Sequence, residues 1–240
     1  MISLLLITAL AVQYPAAATP ATDTTNVRPA VTTRATTPTP TPPAAVVSRA
    51  VFHDAMRMLW EDHIVFTRNY IISAAADLPG TPVVAERLLR NQNDIGDAMK
   101  PYYGEAAANQ LTTLLRNHIL LAGKVIAIAK SAGNPMQDPT TLNGAVTAWQ
   151  ANGDSIALFL SSANPRNWPS ATLQSALRMH LDMTLKEATA QLHGDWAGSI
   201  AAYDDVHQQI LQMADVLSEG IFKQFPNRFS SKPTTMSSLQ

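Results

Sequence analysis

The 240 residues carry 17 Lys and Arg against 18 Asp and Glu, a net charge of −1, and no cysteine. The missing cysteine excludes disulfides, thiolate metal sites, covalent c-type haem and a cysteine nucleophile, and the lack of a cationic excess argues against nucleic acid as a partner. A packed core must therefore hold the fold, and roughly 180 residues between the termini are enough for one.

Residues 2–12 form an uncharged apolar run of signal-peptide length, too short for a membrane-spanning helix, which takes roughly 20 residues. Ala16, Ala17 and Ala18 supply the small residues of a cleavage region. Residues 1–21 thus read as a signal-peptide-like leader, although the first cationic residue, Arg28, comes only after the run. Export to the periplasm, cell surface or exterior is expected, with no membrane span in the mature chain. Residues 22–47 are rich in Pro and Thr, as in Thr-Thr-Pro-Thr-Pro-Thr-Pro-Pro at 36–43. Too little apolar surface is present there to offset ordering entropy, so the stretch is expected to be a disordered linker. Residues 230–240 read as a disordered tail.

Residues 48–229 show helical periodicity throughout and no sustained period-2 pattern. A first helix is expected from Ser48 as N-cap to about Ala75, closed by Leu78-Pro79-Gly80. Thr81-Pro82 opens a second, stopped at Pro101, and a third runs from about Glu105 to Ser131. Asp138-Pro139 opens a fourth, ended by Asn164-Pro165. Pro169-Ser170 starts a fifth, reaching His193-Gly194, and Asp195 caps a sixth that ends before Phe225-Pro226. Short connections favour antiparallel neighbours, so the expectation is an all-α, up-and-down bundle of about six helices. His63-Ile-Val-Phe-Thr67 echoes His180-Leu-Asp-Met-Thr184, which suggests two related three-helix halves.

Polar residues interrupt most of the apolar stripes. His63 lies among Phe52, Met56, Leu59, Phe66 and Tyr70, and His118 among Leu111, Leu114, Ala122 and Val125. Asn91 and Asn152 hold the matching places on the second and fourth helices, and His180 borders the stripe of the fifth. Polar side chains in a core cost free energy unless partnered, so these residues are expected to share one buried centre. His63, His118 and His180, with Asp94 and Glu187 as carboxylates and Glu61 and Asp154 in reserve, form a candidate site for zinc, iron, copper or manganese. The competing reading is a structural centre in which each histidine fixes helix register through a neighbouring Asn, Asp or Thr. Met179-His180-x-x-Met183 offers a softer set suited to copper(I). The Glu-x-x-His pairs of ferritin-like bundles are missing, as are nucleophile-elbow, zincin, phosphate-loop and dinucleotide motifs. An Arg opposite Asp94, from Arg68, Arg87 or Arg90, and His207 beside Asp204 are expected as stabilising pairs. An envelope or extracellular protein is the other expected class of partner.

Trp60-Glu-Asp-His63-Ile-Val-Phe-Thr67-Arg68, Arg87-Leu-Leu-Arg-Asn91-Gln92-Asn-Asp94-Ile95-Gly96 and Tyr102-Tyr103-Gly104 resemble motifs of a group of bacterial secreted or envelope helical proteins of undefined function. Leu114-Leu115-x-x-His118-Ile119 and His180-Leu181-x-x-Thr184 continue the resemblance over most of residues 55–225. It implies an exported helical domain in which the His, Asn and Asp positions belong to one pattern. It implies no activity or cofactor. The function expected is thus a non-enzymatic, exported bundle domain with a metal-binding polar centre, a scaffold or partner-binding module being the alternative and an enzyme the third choice.

Overall fold

Each connection in the chain is short and each apolar stripe needs a partner, so the helices pack side by side in chain order. The computed structural model describes residues 46–131 and 139–230, all within a unit spanning Pro43–Gln240. The expected leader, most of the linker and the tail beyond Ser230 lie outside the described residues. The order is β1 (Val47–Ser48), α1 (Arg49–Ala75), α2 (Thr81–Ser131), α3 (Pro139–Ala163), α4 (Ser170–Leu192), α5 (Trp196–Gln224), a 3-10 turn (Pro226–Arg228) and β2 (Phe229–Ser230). Among the described residues the fold is all-α, with five continuous helical elements, the second of which is two helices joined across a kink.

The kink lies in α2, whose 51 residues run past Pro101 and break only at Gly104, where the backbone is non-helical (φ 81°, ψ 169°). That region of backbone space is essentially reserved for glycine. Pro101 lacks an N–H but tolerates the helical turn that ends two residues later, so it does not itself stop the helix. The arms 81–103 and 105–131 fold back on each other: Thr112 Oγ1 donates to Gln92 O at 3.4 Å, and a Cβ on Gly96 would collide with Thr112. By length and composition alone α2 is apolar enough to cross a membrane; in the bundle its Leu111, Leu115, Ile119, Val125 and Ile126 are buried.

Cross-helix bonds give the remaining directions. Arg87 pairs with Asp62 and Asn91 with Leu59, setting the first arm of α2 antiparallel to α1. His180 with Gln209, and Gln191 with Ser199, set α5 antiparallel to α4. Arg57 with Asp215 and Arg68 with Ser199 close the ring by setting α5 antiparallel to α1. Thus α1, the second arm of α2, and α4 run in one direction, and the first arm of α2 and α5 in the other.

The ends of the bundle differ. One is aromatic: Phe52 meets Tyr102, Phe222 and Phe229 at ring-centre distances of 5.3–5.6 Å, and Trp168, fully buried, donates Nε1–H to Val216 O at 3.2 Å. There β1 pairs in parallel with β2, Val47 against Phe229 and Ser48 against Ser230. Ser48 precedes α1 as expected, but its hydroxyl makes no cap bond. Asp195 does cap α5, accepting from Gly198 N at 2.9 Å. The opposite end is built from Ile71, Ile126 and Ala188 with Tyr70 and Ala74.

Candidate functional site: three buried histidines

His63, His118 and His180 sit at one level on the three helical segments that run in the same direction, each 3–4 % exposed. The ring centres of His63 and His180 are 5.9 Å apart, and those of His118 and His180 6.3 Å. An amide from the antiparallel neighbour holds each ring from outside. Asn152 Oδ1 lies 3.0 Å from His118 Nδ1, Gln209 Oε1 lies 3.2 Å from His180 Nδ1, and Asn91 lies close enough to His63 to favour its charged form slightly.

The other end of each amide fixes its orientation. Asn91 Nδ2 donates to Leu59 O at 2.9 Å, Asn152 Nδ2 to Leu114 O at 3.2 Å and Gln209 Nε2 to Ala176 O at 3.0 Å. In every case the acceptor is the carbonyl four residues before the histidine, using the lone pair that the helix leaves over. With its N–H engaged there, the amide presents oxygen to the ring, so Nδ1 of His118 and of His180 must carry the proton. Their Nε2 atoms then keep their lone pairs. His63 has a second neighbour, Gln92 Nε2, 3.4 Å from Nδ1. A carbonyl-type acceptor on one ring nitrogen is the arrangement that orients metal-binding imidazoles and makes the other nitrogen more basic.

Burial is the main reason that all three rings are neutral. It lowers His118 to about 3 and His180 to about 4 from the ordinary 6.5, and holds His63 well below it. Repulsion adds to this: a charge on His180 opposes one on His63 or His118, and a charge on His118 opposes one on His63. The amide bonds act the other way and lose. Around the rings, Trp60 Nε1, Trp149 Nε1 and Gln92 Oε1 are buried without hydrogen-bond partners, with Trp60 edge-on to His63 and Trp149 against His118.

The carboxylates predicted for the site are elsewhere. Asp94 is exposed, because it falls two residues past Gln92, roughly 200° round the helix. The arginines take other partners: Arg87 binds Asp62, and Arg68 binds Glu187 at 2.8 Å. Glu187 is fully buried, yet its Oε1 faces Arg68 and its Oε2 has no partner. Burial raises its carboxyl to about 7 against the pull of Arg68. Glu61 accepts from His207, and Asp154 pairs with Arg178. Met179 is 45 % exposed and points away from buried His180, so the Met-His-Met set does not assemble. Among the described residues no group of three or more His, Asp and Glu stands close enough to hold a metal ion as placed. Three imidazoles sharing one ion at about 2.0–2.1 Å would have ring centres roughly 5–5.5 Å apart, so the rings stand about 0.5–1 Å too wide.

Gln92 and Gln209 are the site residues that the sequence reading missed. Their signal was available: each follows its histidine by 29 residues and lies on a buried stripe. One turn beyond the histidines, Thr67 and Thr184 donate to the carbonyls of His63 and His180 at 2.7 and 2.8 Å. There they help to line a closed-in cavity of about 20 Å³. No family model, curated protein or solved structure matches the chain.

Proposed function

We propose that this chain is an exported, non-enzymatic helical-bundle domain whose three-histidine centre binds a transition metal ion, with His63, His118 and His180 as ligands. The observation that carries the reading is the amide set. Three neutral imidazoles stand on three helices, His118 and His180 each with an amide oxygen at Nδ1 from Asn152 and Gln209, and His63 with the Gln92 amide nitrogen at its Nδ1. Lone pairs gathered in a dry core repel one another unless a cation or a proton lies between them. On this reading metal uptake draws the rings together by about 0.5–1 Å. Zinc, copper, iron and manganese are all compatible with imidazole nitrogen, the neutral all-nitrogen set favouring zinc and copper. The exported setting rests on residues 2–12 and the small residues at 16–18.

The ring spacing favours one competing reading. In a metal-free protein His63 takes the Nε2–H tautomer, accepts from Gln92 at Nδ1 and donates to a neighbouring ring, and the centre then only sets helix packing. Elemental analysis of the full chain, purified without chelator or histidine tag, tests between the two, with melting curves in EDTA alongside. Near-stoichiometric metal that is lost in the triple substitution His63→Leu, His118→Leu, His180→Leu supports the metal centre. Equal metal content in both proteins ends it.

A further inference from the structure

We propose that the surface cleft between the two arms of α2 binds a small phosphomonoester, with Arg90 and Arg116 holding the phosphate group, independently of the metal centre. The arms run antiparallel, and Thr112 Oγ1 meets Gln92 O at 3.4 Å. One turn further along each arm, Arg116 therefore comes level with Leu88, between Arg87 and Arg90. All three arginines line one cleft of about 830 Å³, within the range of small-ligand sites, roughly 300–1,000 Å³.

Two of these cations have no counter-ion. Elsewhere in the bundle Arg57, Arg68 and Arg178 each meet a carboxylate. Within the cleft Arg87 binds Asp62 and lies over the Phe66 ring at 4.2 Å, so its guanidinium is neutralised and fixed and serves as wall. Arg90 and Arg116 are exposed and make no ion pair or hydrogen bond among the described residues, although Glu86 and Asp94 stand one turn to either side of Arg90. The first turn of α2, at Pro82 and Val83, brings the positive end of a helix to the same cleft. Two unpaired guanidiniums arriving from different helical arms call for an anion with oxygens facing both. A carboxylate presents one planar edge and fits a single fork. A phosphomonoester carries about two negative charges and three terminal oxygens, and so serves both forks at once. Pro82, Leu89 and Val83, the last 69 % exposed, offer the body of the ligand an apolar wall. The net charge of −1 gives the chain no field for a long polyanion, so the ligand is a small molecule or a single headgroup.

The test is calorimetric titration of the full chain at low salt with phenyl phosphate, inorganic phosphate and benzoate. Phenyl phosphate should bind at one site per chain, more tightly than inorganic phosphate, which lacks an apolar body, and than benzoate, which lacks the third oxygen. Arg90→Gln and Arg116→Gln should each weaken it roughly tenfold or more. Their melting temperatures should not change, because both residues are exposed. Arg178→Gln, whose partner is Asp154, should leave binding as it is, and Glu86→Gln, which removes the one carboxylate in the lining, should tighten it. Vesicles containing phosphatidic acid, compared with neutral vesicles, separate a lipid headgroup from a free phosphomonoester: vesicle binding that either arginine variant abolishes supports the same site with a lipid as its source. Failure of every phosphate probe, or binding indifferent to both arginines, overturns the proposal. Benzoate bound as tightly as phenyl phosphate overturns the assignment to phosphate.

Discussion

The two halves of the bundle axis are built by opposite rules. On the aromatic side of the histidines the ring of helices is filled by large side chains, with Trp60, Met56 and Trp168 inside it and Phe52 packed against Phe222 and Phe229. On the other side the wall steps down to Ala122, Ala188 and Ala74 around Ile71 and Ile126, and a cavity remains. The same helices enclose both halves, so helix placement does not explain the difference. It comes from side-chain volume one turn above and one turn below the histidines. One half carries stability by dense packing, and the other gives up some packing for space next to a polar centre.

The largest effect expected from breaking this asymmetry is Trp168→Ala, which removes a fully buried indole and its bond to Val216. It should cost about 3–5 kcal/mol, read from the urea midpoint, against about 0.5–1.5 kcal/mol for Ile71→Val at the other end. A Trp168→Ala loss no larger than that of Ile71→Val would show that the indole is not part of a densely packed end.

Arg68→Met comes next, since it strands the buried Glu187 carboxylate. At pH 8 the loss should reach up to about 3 kcal/mol. At pH 5 it should shrink, because a carboxyl raised to about 7 is already protonated there. A pH-independent loss would mean that Arg68 matters through its packing over the Tyr203 ring.

The overall pH profile sharpens the same contrast. Histidines lowered to about 3 and 4 in the fold bind fewer protons than the unfolded chain below 6.5. Stability should therefore rise with pH from about 4 to 6.5. Glu187, raised from 4.5 to about 7, binds more protons folded than unfolded in that window. Its contribution falls as pH rises and offsets the histidines only in part. The triple histidine substitution should leave the Glu187 slope alone, with stability falling toward pH 7.

The smallest effects separate two glycines. In Gly220→Ala the new methyl would run into the Trp168 indole, and a loss of about 1–3 kcal/mol is expected. In Gly123→Ala it would meet only the Tyr70 hydroxyl, at 3.0 Å. That ring end can give way, so thermal melting should show no loss, or a gain of up to about 1 kcal/mol from helix propensity.

Much of this was legible from residue order. His63 and His118 stood out because each interrupts an apolar stripe, and Asn91 and Asn152 because they do the same on the helices between. The Asp195 cap was legible because its signal is local. What failed depended on rotation about a helix or on choice of partner. Asp94 follows Asn91 by three residues, yet the buried arc is centred on Leu88, Gln92, Ile95 and Met99, which leaves it outside. Glu187 shares the inward face of α4 with His180, but no spacing rule could tell that Arg68 would claim it. The echo between His63-to-Thr67 and His180-to-Thr184 was read as two halves. A histidine–amide contact recurs at His118, where Ala122 stands in the threonine's place and the spacing to Asn152 is 34 residues, against 29 for His63 with Gln92 and His180 with Gln209.

The pairing of Val47–Ser48 with Phe229–Ser230 is parallel, and this has a mechanical consequence. The chain arrives at one end of the tiny ladder and leaves at the other, so tension between residues 46 and 230 pulls the strands lengthwise past each other. All of the ladder's bonds then share the load at once, in shear, where an antiparallel pair would open one bond at a time.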